Sequence, residues 1–217
     1  KIKVGIVQPD LNPWDKWSTG NLGQLTKQYL ELSQKCVDEG AQIILWPETA
    51  LPVYAFGGTY NIVENSIFHF LDTNNVSLLT GMPDIIYDFD QNNIPEDSKF
   101  SEQGNYYYRT YNAVIGLNPG TREIQRYGKM KLVPLGEKVP FADQFTFLGD
   151  IFKWGVGLSD WNIGKDTTVF KIYSNGLDTV KVGGLVCYES VDPVFVTAFV
   201  QKCAEIITVV TNVSGYG

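Results

Sequence analysis

Histidine, cysteine and methionine are scarce in this chain, with one His, three Cys and two Met. The single His69 falls inside a helical pattern, away from any motif, so chemistry built on a histidine base is not expected. Cys36, Cys187 and Cys203 are too few for a disulfide framework and lack the spacing of a metal site. No metal and no cofactor are expected, and the redox compartment stays open. Charged residues make up only 19% of the chain and the net charge is −7. There is no basic patch, which argues against a nucleic-acid partner. No run approaches the roughly 20 apolar residues of a membrane span. No leader pattern precedes the first strand pattern, Ile2 to Gln8, as expected of a processed chain or an excised domain.

What is present is an ordinary globular composition. The 217 residues are 44% apolar, enough for one domain with a sizeable core. Apolar residues at Leu22, Leu25, Tyr29, Leu32 and Cys36 are spaced three and four apart and predict a helix that Gly40 stops. Ala41 to Trp46 and Val76 to Met82 read as strands, with a second helix over Ile62 to Leu71. Asp88 to Gln103 is polar and reads as a hairpin loop. Tyr106 to Leu117 returns as a strand, followed by a short extended piece, Glu123 to Tyr127. After a long stretch with little regular pattern, strands are expected over Thr167 to Tyr173, Thr179 to Val186 and Glu205 to Thr211. A helix is expected over Asp192 to Ala204, which places Cys203 on its buried face beside Cys36 on the first. Strands alternating with helices indicate an α/β fold with a mixed sheet, and no linker divides the chain.

The chain is organised around Val182-Gly183-Gly184-Leu185-Val186-Cys187-Tyr188-Glu189-Ser190. It reads as a buried strand running into a turn, with Cys187 at the corner. Asp192 can cap the following helix and Pro193 suits its first turn. A thiol at such a corner lies near backbone N–H groups that favour a thiolate and an oxyanion. The bland alternative is a small buried cysteine at a strand end. Glu48 directly follows another strand, and Lys129 lies in the loop after a hairpin strand. Sites in open α/β sheets form beyond the carboxyl ends of strands. A carboxylate that takes the thiol proton and an ammonium that holds the oxyanion make a workable acyl-transfer set. The alternative for Glu48 and Lys129 is an exposed salt bridge.

Three blocks sit in order at strand ends: Trp46-Pro47-Glu48-Thr49, Gly128-Lys129-x-x-Leu132-Val133-Pro134-x-Gly136-Glu137 and Cys187-Tyr188-Glu189. Together they resemble the signatures of the nitrilase (carbon–nitrogen hydrolase) superfamily, and more narrowly its apolipoprotein N-acyltransferase branch. The narrower resemblance rests on Trp46 to Pro52, Leu132 to Phe141 and the pair Lys16-Trp17. It implies an α-β-β-α sandwich. It also implies Glu48 as general base, Lys129 as the oxyanion-stabilising lysine and Cys187 as the nucleophile. Glu137 would support the lysine and the nucleophile, Tyr188 would offer a backbone N–H to the oxyanion, and Glu189 would brace the elbow. Trp17 would handle substrate. Each also has a packing alternative: Glu137 as a loop carboxylate, Tyr188 as core filler, Trp17 as loop packing.

By the same resemblance, residues 1–217 form a single catalytic domain. It would be C-terminally incomplete, because the chain departs from the family pattern after Asn212, and excised from a membrane protein. The implied reaction moves a fatty acyl group from phospholipid to the N-terminal cysteine amine of a diacylglyceryl-modified lipoprotein, at the periplasmic side of a bacterial inner membrane. A soluble amidase or nitrilase with the same triad, and an inactive binding domain with the same fold, are the rival readings. The aromatic stretch with Phe141, Phe145, Phe147, Phe152, Trp154 and Trp161 is expected to form either a flap over the sheet or a lid that receives acyl chains at the membrane surface.

Overall fold

A computed structural model describes residues 1–9, 22–132, 161–174 and 177–211. Helix α1 spans Leu22–Asp38, α2 Asn61–Asn74 and α3 Pro193–Gln201. The strands are β1 (Val4–Ile6), β2 (Ile43–Trp46), β3 (Ser77–Asp88), β4 (Lys99–Ser101), β5 (Tyr106–Leu117), β6 (Ile124–Gly128), β7 (Val169–Ser174), β8 (Leu177–Val186) and β9 (Ile206–Val210). Strands β1, β2 and β3 run parallel, and β3 then pairs with β5 antiparallel along its whole length. On its other side β5 holds β4 at one end and β6 at the other. In a second sheet β8 lies antiparallel to β7 and parallel to β9.

Two apolar cores explain the layering. Helix α1 turns Tyr29 and Ser33 inward, one helical turn apart. The Tyr29 ring packs at 4.8 Å from that of Trp46, and the Trp46 indole N–H donates to the Ser33 hydroxyl at 2.9 Å. Helix α2 adds Val63, Ile67, Phe68 and Leu71 at helical spacing. These side chains cover one face of the first sheet, with Leu78, Met82, Ala113 and Ile115. Leu79, Val114 and Tyr127 point the other way and meet Phe170, Ile172, Val182 and Phe199. The order is helices, sheet, sheet, helix: the α-β-β-α sandwich that the resemblance implies, with both sheets mixed.

The paired glycines of β8 permit the close approach of its two faces. A Cβ on Gly184 would lie 3.0 Å from Phe170 and from Val114 in the facing sheet. One on Gly183 would lie 2.8 Å from Ile207 and 3.1 Å from Phe199 of α3. Helix α3 starts as its sequence suggests: the Asp192 carboxylate accepts from the Phe195 N–H at 2.9 Å and Pro193 opens the first turn.

Some boundaries differ from expectation. Strand β3 continues to Asp88 because β5 offers a partner at every step, down to Asp88 opposite Tyr107. The polar 88–103 segment contains β4, held by backbone pairing to β5 rather than by an apolar pattern. A 3₁₀ turn, Cys187–Val191, separates β8 from α3. Cys203 is exposed, not on a buried helix face, because α3 ends at Gln201 and Cys203 turns with a left-handed φ of 65°. Cys36 is partly buried. His69 is exposed on α2.

Because the sheets meet at Gly184, Gly184→Val is expected to lower stability by about 1–3 kcal/mol through overpacking. Thermal unfolding followed by circular dichroism would measure it, and an unchanged midpoint would mean that Phe170 and Val114 can give way.

Candidate active site

Three strand ends supply the site. Glu48 lies two residues beyond β2, where the chain bends sharply: Thr49 takes a φ of 50°, an unusual conformation for a β-branched residue. The Ala50 N–H donates to the Gly81 carbonyl at 2.8 Å and fixes the bend. A Cβ on Gly81 would lie 2.5 Å from the Glu48 Cα, so the glycine in β3 is what lets the Glu48 backbone sit there. Lys129 directly follows β6. Its N–H donates to the Asn112 carbonyl at 2.8 Å, and its own carbonyl accepts from Gly164 at 2.9 Å. Its side chain is 1% exposed, and Nζ lies 3.6 Å from Glu48 Oε1. The Asn112 side-chain amide donates to that same oxygen at 2.8 Å. Lys129 is buried and Glu48 is half-buried, so the pair is not an exposed salt bridge.

Cys187 opens the 3₁₀ turn with a φ of 47°. Strained backbone of this kind persists only where surrounding contacts over-determine it. Here the contacts come from Glu189, which is 0% exposed. Its Oε2 accepts from the Val186 N–H at 2.9 Å, immediately before the cysteine. Its Oε1 accepts from the Tyr127 hydroxyl at 2.7 Å, from the Met130 N–H at 2.7 Å and from the Lys131 N–H at 3.1 Å. One carboxylate thus ties the cysteine elbow to the loop that carries Lys129. Burial, reinforced by the Glu189 charge, pushes the Tyr127 hydroxyl pKa well up, so it stays a donor. Lys131 also pairs with Asp192 at the start of α3 and lies over the Phe195 ring at 5.2 Å.

Of the residues singled out on sequence, Glu48 and Lys129 come within ion-pair distance, and the Lys129 loop and the Cys187 elbow share Glu189. Tyr188 is 48% exposed, so it is not core filler. Trp17 and Glu137 lie outside the described residues, as does the aromatic stretch up to residue 160. Trp161 is partly buried. Among the described residues no group of three His, Cys, Asp or Glu gathers as a metal site, and no helix is long and apolar enough to cross a membrane.

The family profile described as carbon–nitrogen hydrolase matches residues 3–216. The chain belongs to the carbon–nitrogen hydrolase family. A protein named apolipoprotein N-acyltransferase from Chlorobaculum tepidum is 34% identical over 218 residues, covering 100% of this chain and 40% of its own length. Apolipoprotein N-acyltransferase 1 from Treponema denticola is 29% identical over 233 residues, covering 98% and 39%. The chain thus spans about two fifths of the length of these curated relatives. Among solved structures, an amidase from Nesterenkonia sp. AN1, with acrylamide added at its active-site cysteine, superposes with a TM-score of 0.59. The identity is 14%, and the match covers 97% of this chain and 67% of the amidase. At that identity the likeness concerns the nitrilase fold alone.

In this carbon–nitrogen hydrolase chain two contributors were not evident from sequence. Gly81 sits mid-strand in an apolar run, a position where glycine often marks close backbone approach. Asn112 is a polar residue, 6% exposed, among apolar neighbours of β5. Both signals are weak until the fold brings Glu48 alongside. On the opposite face of the same strands lies a separate polar cleft of about 170 Å³, lined by Asp84, Arg109, Tyr111 and Arg126 among others. Burial raises the Asp84 pKa there, opposed by the Arg126 guanidinium at 3.0 Å.

Two outcomes are expected. Glu189→Gln replaces one acceptor oxygen with a donor that faces N–H or O–H groups. It should cost on the order of 2–3 kcal/mol and slow alkylation of Cys187, read by thermal unfolding and mass-spectrometric mapping. In the unmodified protein at pH 7, brief iodoacetamide treatment should label Cys187 faster than Cys203, although Cys203 is the more exposed thiol. Labelling that follows exposure alone would count against an activated Cys187.

Proposed function

We propose that this chain is the catalytic portion of an apolipoprotein N-acyltransferase-type enzyme. The reaction moves a fatty acyl group from phospholipid to the N-terminal cysteine amine of a lipoprotein, through a Cys187 thioester. The observation that carries the reading is the Glu48–Lys129 pair, with its lysine buried, tied through one carboxylate to the Cys187 elbow, in a chain that matches relatives of that name along nearly its whole length. The enzyme would lie in a bacterial inner membrane, with this portion at the periplasmic side beside its phospholipid donor.

In this mechanism Glu48 takes the thiol proton and the Cys187 sulfur attacks the phospholipid ester carbonyl. The Lys129 ammonium and backbone N–H groups at the elbow, Tyr188 among them, hold the oxyanion. Collapse breaks the ester C–O bond. The lysophospholipid alkoxide leaves with the proton from Glu48, and the thioester remains. The lipoprotein amine then attacks the thioester, Glu48 accepts its proton, and the thiolate departs and is reprotonated. Water must be kept from the thioester during the wait. Trp17 and Glu137 keep the supporting roles that the family resemblance implies, and the aromatic stretch from Phe141 to Trp161 would serve as the lid over the acyl chain.

The test is a persistent acyl-enzyme. Full-length protein in detergent, given phospholipid and no acceptor, should accumulate one acyl group on Cys187, released when a diacylglyceryl peptide is added. Cys187→Ser should abolish the adduct, since a serine hydroxyl is a far weaker nucleophile near pH 7. Steady release of free fatty acid with no detectable adduct would instead indicate a hydrolase.

A further inference from the structure

Glu48 and Lys129 have opposite charges and, in the reading above, separate tasks. The carboxylate must accept a proton, and the ammonium must face an oxyanion. Left to themselves in a buried site they attract strongly, and a closed pair would neutralise both. Yet Nζ stands 3.6 Å from Glu48 Oε1, while the neutral Asn112 amide donates to that oxygen at 2.8 Å. The shorter contact is the one that cannot transfer a proton near neutral pH. Asn112 is itself held in place. Its backbone carbonyl takes the Lys129 N–H at 2.8 Å, and its residue pairs with Pro83 across the β3–β5 ladder. Alternation along β5 puts its side chain on the same face as Val114, toward the second sheet.

We infer that Asn112 is a positioning residue that keeps the base and the oxyanion lysine from collapsing onto each other. It occupies the carboxylate oxygen nearest the ammonium with a donor that carries no charge. It also fixes the lysine backbone through its own main chain. A substitution at residue 112 removes the first action and leaves the second. With the amide gone, Glu48 and Lys129 close into a short pair, the thiol loses its base, and Cys187 reverts to ordinary thiol behaviour. The inference rests on the proposed roles of Glu48 and Lys129 and holds whichever acceptor takes the acyl group.

The experiment measures Cys187 alkylation by iodoacetamide against pH in full-length protein, with mass-spectrometric mapping of that peptide. Asn112→Ala is expected to slow the reaction at pH 7 by about tenfold or more. The midpoint of the alkylation profile should lie at higher pH than in the wild-type protein. Asn112→Asp has the same shape and keeps the strand packing, so it serves if the alanine variant fails to fold. Its carboxylate competes for Lys129 and should give the same upward movement. Asn118→Ala is the control. It empties another buried asparagine site, one residue past the end of β5, where the side chain bonds Ser77, Lys171 and Tyr173, and it should leave the midpoint in place. In acyl transfer, kcat should fall while the KM for phospholipid holds. If folded Asn112 variants alkylate with the wild-type midpoint, or if Asn118→Ala moves it equally, the inference fails. A wild-type enzyme that transfers no acyl group would refute the proposed function, and the alkylation profiles would still decide the role of Asn112.

Discussion

The Glu189 carboxylate is the contact on which the rest of the site depends. Burying such a group costs several kcal/mol unless partners compensate. Here four donors do so: one hydroxyl from β6, two N–H groups beyond β6 and one N–H at the end of β8. Hydrogen bonds to a charged acceptor contribute about 1.5–3 kcal/mol each, so the carboxylate is stable only while both segments stay in position. The two segments belong to different sheets. The sandwich brings them near each other through apolar packing, which tolerates small slips. The carboxylate does not tolerate them, and it converts approximate proximity into a fixed arrangement of the elbow and the lysine loop.

Backbone strain accompanies that precision. Thr49 beside Glu48, and Cys187 itself, both take left-handed backbone angles. Each such residue costs about 1–3 kcal/mol, and each bend is tied to another part of the chain, the second through the further bonds of Glu189 to Tyr127, Met130 and Lys131. The Gly81 carbonyl anchors the first bend, and the Glu189 side chain anchors the second. Side chains presented just beyond strand ends require the chain to turn abruptly there.

The parts legible in sequence were those encoded locally. Tyr106 to Leu117 reads as β5 residue for residue, because its pattern is continuous and turn residues follow it. Asp192 and Pro193 announce α3 through cap chemistry. Glu48, Lys129 and Cys187 stand out because each follows a strand pattern. The parts that escaped depend on partners remote in sequence. Asn112 is an ordinary strand residue until Glu48, 64 positions earlier, lies against it. Strand β4 has no apolar signature and exists because β5 is there to pair with. Cys203 is exposed because α3 ends at Gln201, two residues short of it, and no cap residue in the sequence marks that end. Spacing records which face a residue takes inside an element and says little about where the element stops.

The alternation of β5 has a consequence for how this chain can change over time. Asn112 faces the lysine and the second sheet, whereas Tyr111 and Ala113 face the helices, and the Asp84–Arg126 pair lies on Tyr111's side. The two faces of one hairpin therefore meet different surroundings, the Glu48–Lys129 pair on one and the helix-side core on the other. Gain or loss of a single residue within β5 would exchange them at a stroke, placing a tyrosine ring against Glu48 and an asparagine in the helix-side core. Length variation among descendants of this sequence should accordingly collect in the turns around residues 89–98 and 118–123 and avoid the strand interiors, where only paired changes preserve the faces.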